Sequence, residues 1–352
     1  MFASDTMEHF SIRVRYNDPT LTLLNLDQNI IITSENSINF ADALTHNTHF
    51  KELYISNLNH IIAVMIGNIL STNNSIKYLG IYDSTISRNM AIEIARGLSV
   101  NNSLISLDLG DQGMNNYIED SMYIILYGLN KSNINTFIIN KYTFTQSEAT
   151  ILVNNKKIIT LILCYIINIE YILDIFNINT SITQLYIYYT NTKSIANMLK
   201  TNKTLIYLHL YGLDIDIPDN IKIVKALTFN NTLVEIKHIY TGDYHLLLED
   251  IYSQMLEINF MLKLINLFCS SSNVKRLLEI NRNLHTSIIE QKISTTMAQK
   301  LYLCNIDYSD LPYIPQEIWD YIHMMGLTTK ESKYYNYMNI KRIKRNIKMI
   351  KL

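Results

Sequence analysis

The residues best placed to do chemistry in this chain are phenol hydroxyls and one imidazole. Tyr186, Tyr188, Tyr207, His209 and Tyr211 lie close together in the sequence, and Tyr54, Tyr78 and Tyr82 lie upstream. Each sits one place from an aliphatic residue, so the two kinds alternate as on a strand with one buried face. Tyrosines so displayed offer wide amphipathic contact at small entropic cost, which suits recognition of a partner. With 25 tyrosines, only 9 glycines and abundant Asn and Ile, codon usage in an AT-rich genome is the competing explanation. Only regularly spaced tyrosines therefore carry weight.

Catalytic signatures are missing. The chain has no phosphate-cradling glycine loop, no H-E-x-x-H and no G-x-S-x-G, and its nine histidines do not fall at ligand spacing. An active site would have to come from residues distant in sequence, so no enzyme, cofactor or metal is expected. Cys164, Cys269 and Cys304 form no C-x-x-C pair, which argues against both a disulfide framework and a zinc site and for a reducing, intracellular setting. The formal net charge is −1 with 17% charged residues, so bulk electrostatics does not point to nucleic acid. Neither a secretory leader nor a membrane span is legible, and a soluble monomer is expected.

The elements that position the tyrosines are repeats. Asp18, Asn47, Asn73, Asn101, Asn155, Asn179, Asn202, Asn230 and Asn259 are each followed by apolar residues three, six and eight places later, save for His238 at the last place after Asn230. Between Asn101 and Asn155 one unit is irregular, with Ile134, Phe137 and Ile139 following Ser132-Asn133. The last two apolar places alternate as in a short strand. Ahead of each asparagine the spacing lengthens to i, i+3, i+4 and i+7, as in Ala91, Ile94, Ala95 and Leu98, which predicts a helix with one apolar stripe. The helix ends on an apolar residue three places before the asparagine, and the asparagine suits the left-handed conformation that commonly ends helices. One such unit cannot bury its own apolar face, so the units must stack.

This spelling resembles the leucine-rich repeats of the long, ribonuclease-inhibitor-like type, over residues 18–270. The resemblance implies an α/β solenoid, a horseshoe with parallel strands on its concave face and helices outside. The Asn/Ile/Tyr-rich composition further resembles the repeat families that large DNA viruses of protists encode in expanded sets. Members of the leucine-rich family usually place Asn or Cys eight residues after the first leucine of the strand, where it builds a ladder. Here only Asn29 does so, while Leu58, Ser84, Gln112, Ile166, Thr190 and Leu213 occupy the other such places. The units starting at Asn155, Asn179 and Asn202 are read as short, with outer helices of one or two turns. The N-x-S/T matches at Asn73, Asn101, Asn179 and Asn202 fall in repeat phase and are read as turn residues, with no glycosylation.

Residues 1–17 are expected to cap the first repeat, and residues 271–352, where the period is lost, to form a helical segment with a basic tail. Within it Ile314-Pro315-Gln316-Glu317-Ile318-Trp319, with Ile322, resembles the opening of the F-box, a module that recruits a ubiquitin-ligase adaptor. An ordinary helix start explains the same proline and glutamate. The tail, Lys341 to Lys348, carries Ile340, Ile343, Ile347 and Ile350 on one helical stripe, and a solvated terminus is its plain reading. Together these features point to a non-catalytic scaffold that binds an unknown protein partner on the concave face. The alternative is substrate recognition for a ubiquitin ligase, with Pro315, Glu317, Ile318, Trp319 and Ile322 holding the adaptor.

Overall fold

The computed structural model describes residues 7–26, 33–110, 120–190, 194–212, 217–239, 245–256, 264–266 and 274–282. Helix α1 (Met7–Arg15) precedes β1 (Leu23–Leu26), and helix and strand then alternate. The N-terminal half continues with α2 (Ser34–Thr45), β2 (Glu52–Ser56), α3 (His60–Thr72), β3 (Tyr78–Tyr82), α4 (Arg88–Val100), β4 (Ser106–Leu109), α5 (Ser121–Lys131) and β5 (Thr136–Asn140). After α6 (Gln146–Asn154) and β6 (Thr160–Cys164) come α7 (Glu170–Leu173), a 3-10 turn (Phe176–Ile178) and β7 (Gln184–Tyr188). The order closes with α8 (Ile195–Thr201), β8 (Tyr207–Tyr211), α9 (Ile217–Leu227), β9 (Glu235–Ile239), α10 (His245–Leu256) and β10 (Leu264–Asn266).

The ten strands form one parallel sheet in sequence order. Their register matches repeat to repeat: Leu79 pairs with Leu107, Leu185 with Leu208, and Leu208 with Ile236. The chain is thus a leucine-rich-repeat solenoid of the α/β class. The apolar places predicted by the spacing are buried, among them Leu53 and Ile55, Leu107 and Leu109, and Leu208 and Leu210. Together with the helix stripes they make one continuous core, which also takes in Val274, Leu277 and Leu278 of the helix at residues 274–282. Each fully buried aliphatic side chain contributes about 1.5–3 kcal/mol, so stability is spread along the stack.

The repeating asparagine works differently from expectation. At Asn73, Asn101, Asn179 and Asn202 the backbone is extended, with φ between −82° and −71°, and not left-handed. The reason is that the side chain, and not the backbone, makes the turn. Oδ1 of Asn202 accepts from the N–H groups of Thr204 (3.0 Å) and Leu205 (2.7 Å), while Nδ2 donates to the carbonyl of Phe176 (3.0 Å) in the 3-10 turn just ahead of Asn179. Asn101 does the same for Ser103, Leu104 and Leu70, and Asn179 for Ser181, Ile182 and Val153. A buried amide so placed satisfies one helix-terminal carbonyl and two strand-entry donors at once. Since these side chains are buried, the N-x-S/T matches are structural. The irregular fifth unit has no asparagine in phase, and there Ser132 supplies the side-chain oxygen, at 3.3 Å from the Ile134 N–H.

Left-handed residues occur ten places after the anchor, just past the strand: Asn57, Asp83, Lys141, Tyr165, Tyr189 and Gly212. One place further on, hydroxyls replace the usual asparagine ladder in some units. Ser84 Oγ accepts from the Leu58 N–H (2.9 Å) and Thr190 Oγ1 from the Ile166 N–H (3.0 Å). The outer helices do shrink after Asn155 and Asn179, to the four residues of α7 with its 3-10 turn and the seven of α8. The Asn202 unit departs from expectation, because α9 runs for eleven residues. In the N-terminal half the helices pack closely through Gly67, Gly97 and Gly128. A Cβ on Gly128 would stand 2.8 Å from the Ala95 backbone.

Candidate functional site

From β2 to β8, side chains at the first, third and fifth places of the strands project from the sheet face opposite the helices. Two aromatic clusters form there, one near each end of the described strands.

The first cluster spans β2 to β4. Asp108, at the third place of β4, is only 9% exposed. Its Oδ2 accepts from the hydroxyls of Tyr78 (2.6 Å) and Tyr82 (2.9 Å), which are themselves 2.8 Å apart. Two glycines make room for this arrangement. The Tyr82 ring lies across Gly80 and Gly110, and a Cβ on Gly80 would come within 2.6 Å of it, while one on Gly110 would overlap it outright. Tyr54 stacks on Tyr82, with ring centroids 6.2 Å apart and planes 17° apart, and gives its hydroxyl to Glu52 Oε2 at 2.7 Å. Burial pushes the Asp108 carboxyl above the usual carboxylate range, and the two phenols pull it part of the way back. Burial raises Tyr78 and Tyr82 as well, and burial plus the bond to Glu52 pushes Tyr54 up to about 12. Asp108 Oδ1 is buried with no hydrogen-bond partner among the described residues.

The second cluster spans β7 to β9. In register, Tyr186 lies beside His209 and His209 beside Lys237, while Tyr207 lies beside Glu235 and Tyr188 beside Tyr211. The His209 ring meets Tyr186 and Tyr188 edge to face, at 5.7 and 5.3 Å. Its Nδ1 stands 3.4 Å from the Tyr188 hydroxyl. Its Nε2 is buried and has no partner among the described residues. Burial lowers the imidazole's pKa below its ordinary value, Lys237 lowers it further and Glu235 acts against both. Burial thus favours the neutral form of the ring. A cleft of about 240 Å³ opens here, lined by Gln184, Tyr186, Tyr207, Leu208, His209, Glu235 and Lys237. Glu235 and Lys237 form a loose ion pair at its wall, 3.4 Å between charged atoms.

The structure thus sorts the tyrosines singled out by spacing into two groups. Tyr78 and Tyr82 join in the first cluster, and Tyr186, Tyr188, Tyr207, His209 and Tyr211 in the second. Sequence reasoning passed over Asp108, Gly80 and Gly110 in the one and Gln184, Glu235 and Lys237 in the other. A glycine inside one strand stretch and another just past the next, in a chain with only nine, were the signal available for the first. It also passed over Tyr165 and Tyr189, whose left-handed backbones let their rings stack at 4.8 Å beyond the strand ends. Cys164 sits next to Tyr188 in register, and burial pushes its thiol up to about 11, which favours the protonated form. Pro315, Glu317, Ile318, Trp319 and Ile322, the basic tail and Asn29 lie outside the described residues.

No protein-family model matches the chain, and no curated protein matches it significantly. Among solved structures it is similar to the leucine-rich repeat-containing protein LegL7 from Legionella pneumophila, at 14% identity and a TM-score of 0.46 over 80% of this chain and 87% of that one. It is also similar to the yeast complex of Rad7 and Elc1, at 13% identity and 0.43 over 75% and 73%. A third similarity, to actin-binding site 2 of leiomodin-1, is 16% identical with a TM-score of 0.19 over 82% and 95%. Likenesses this distant bear on no activity or partner.

Proposed function

We propose that the chain is a non-catalytic protein-binding scaffold, intracellular, that captures a partner on the strand face at β7 to β9. The observation that carries this reading is the open cleft of about 240 Å³ lined by Tyr186, Tyr207, His209, Glu235 and Lys237, with Tyr207 exposed at its mouth. Concave sites lined by aromatic side chains with a few polar groups are where partners are commonly held. The strand face between the two clusters carries small or aliphatic residues such as Ser106, Thr136, Ile138 and Ile162. Residues 1–17 and 271–352 serve as the ends of the stack in this reading.

Affinity capture with the full chain, compared with Tyr188→Ser/Tyr207→Ser/Tyr211→Ser, tests the proposal. The triple variant loses the partner while its melting temperature moves by no more than a few degrees. Capture that survives the three substitutions contradicts it. The F-box-like spelling around Pro315 carries the second reading, recruitment of a ubiquitin-ligase adaptor. That reading expects Pro315→Ala/Glu317→Ala/Trp319→Ala to release a co-purifying adaptor and to leave strand-face binding intact. An adaptor that stays bound, or none bound by the wild type, removes it.

A further inference from the structure

Just past the strand ends, two neighbouring units share an unusual corner. Tyr165 follows β6 and Tyr189 follows β7, and both carry a left-handed backbone, with φ of 50° at each. Asn57, Asp83 and Gly212 at the equivalent places belong to types that tolerate this conformation, whereas a bulky aromatic side chain disfavours it. Backbone outliers of this kind persist where the surroundings hold them, and they concentrate at functional positions. The two tyrosines hold each other. Their rings stack with centroids 4.8 Å apart and planes 11° apart. The strand ladder continues beneath them, since the Tyr165 N–H donates to the Tyr188 carbonyl and the Tyr189 N–H to the Tyr211 carbonyl, each at 2.9 Å. Gly212 leaves space for the Tyr189 ring, which a Cβ there would meet at 2.5 Å. Both side chains stay within reach of solvent, at 46% and 45% exposure.

Parallel phenols that an oxidant can reach are set up to couple ring to ring, and the other tyrosine contacts among the described residues each lack a requirement. Tyr189 and Tyr211 meet edge to face at 89°, and Tyr188 and Tyr211 lie 6.0 Å apart at 54°. Tyr54 comes within 5.0 Å of Tyr78, but Glu52 and Asp108 hold their hydroxyls. Tyr54 and Tyr82 are nearly parallel but 6.2 Å apart, and the Tyr82 ring is seated over Gly80 and Gly110.

We propose that Tyr165 and Tyr189 form a site of oxidative cross-linking, joined ortho carbon to ortho carbon as dityrosine by a one-electron oxidant of the haem-peroxidase class supplied with hydrogen peroxide. Each phenol gives up one electron and its hydroxyl proton. The two phenoxyl radicals form one carbon–carbon bond between ring positions next to the oxygens. The hydrogens on those two carbons then move to the oxygens, which restores both phenols. The peroxide takes up the two electrons and two protons and leaves as two water molecules. Because the rings are already together, coupling within the pair outpaces coupling between molecules. The bond closes the chain between residues 165 and 189 and restricts the unfolded state, as a disulfide does.

The test treats the full-length chain, diluted so that encounters between molecules are rare, with a haem peroxidase and hydrogen peroxide. Protease cleavage after Glu170 and Asp174 then separates Tyr165 from Tyr189 unless the two are joined. The proposal expects mass spectrometry of the monomer to find the two peptides linked, lighter together by two hydrogen atoms, with the bond mapped to Tyr165 and Tyr189. Tyr165→Phe and Tyr189→Phe keep both rings but lack one phenol, so each should lower the yield of linked monomer at least about tenfold. Wild-type yield in either variant overturns the proposal. So do a dominant link between other tyrosines, a thioether to Cys164, links found only between molecules, and the absence of any link.

Discussion

The two tyrosine clusters occupy matching places on the same sheet and are built from the same residue type, yet one is closed on itself and the other is open. At β2 to β4 the hydroxyls of Tyr78 and Tyr82 both go to the buried Asp108, and that of Tyr54 goes to Glu52. At β7 to β9 no acid gathers the hydroxyls, Tyr207 is exposed, and a cleft of about 240 Å³ opens among the rings, although each cluster leaves one buried polar atom unmatched among the described residues. The difference comes from what lies between the tyrosines. Glycines at 80 and 110 let the Tyr82 ring fold down beside an acid, whereas the place equivalent to Gly80 is His209 and that equivalent to Asp108 is Lys237 in the second cluster. An aromatic residue on a repeat surface is therefore a candidate for recognition only after its polar group has been accounted for.

The largest effect should show no difference between the two ends. Leu107→Ala beneath the first cluster and Leu208→Ala beside the second each remove a fully buried side chain from the shared core, and each should cost about 2–5 kcal/mol in urea unfolding. Markedly unequal losses would mean that the stack is not one cooperative body. Hydroxyl deletion should then separate the clusters. Tyr78→Phe/Tyr82→Phe strips both donors from a buried carboxylate and should cost about 2–3 kcal/mol near neutral pH, where Tyr186→Phe/Tyr207→Phe should cost less than about 0.5 kcal/mol. Equal costs would erase the contrast drawn here.

A smaller effect concerns pH. The Asp108 carboxyl is raised in the folded state above its ordinary value of 3.8, so the folded protein holds that proton more tightly than the unfolded chain. Its favourable contribution is complete below that value and is lost as pH rises through the folded-state pKa. Stability of Asp108→Asn relative to wild type should consequently increase as pH is raised from about 3.8 toward neutral. A difference that stays flat with pH would show that the acid is solvated. The imidazole at the other cluster is shifted downward and has the opposite sign, so acidification below its ordinary 6.5 should weaken that end.

Much of this architecture could be read from spacing, because burying an aliphatic residue at the third, sixth and eighth places after each asparagine leaves a periodic trace. Leu53, Leu107, Leu185 and Leu208 were legible for that reason. The conformation of the asparagine was not, since a left-handed backbone and a side-chain turn use the same residue. Phe176 and Asn202 meet through an amide-to-carbonyl bond that no local pattern encodes. Hydroxyl substitutes such as Ser84 and Thr190 look like departures from the ladder until their acceptors are seen to take the Leu58 and Ile166 donors. Asp108 was overlooked because its place on the strand is one where a polar residue ordinarily meets water. Glu235 and Lys237 were overlooked because alternating charges there read as solvent-facing. Both depend on contacts between neighbouring strands, which the sequence of a single repeat does not contain.

The contrast between a closed and an open cluster is tested most directly by hydroxyl-radical footprinting of the full-length chain, read tyrosine by tyrosine by mass spectrometry. Tyr207 should oxidise several-fold faster than Tyr78 and Tyr82, whose hydroxyls are bound to Asp108. Equal rates at the three, or faster oxidation of Tyr78 and Tyr82, would contradict the account.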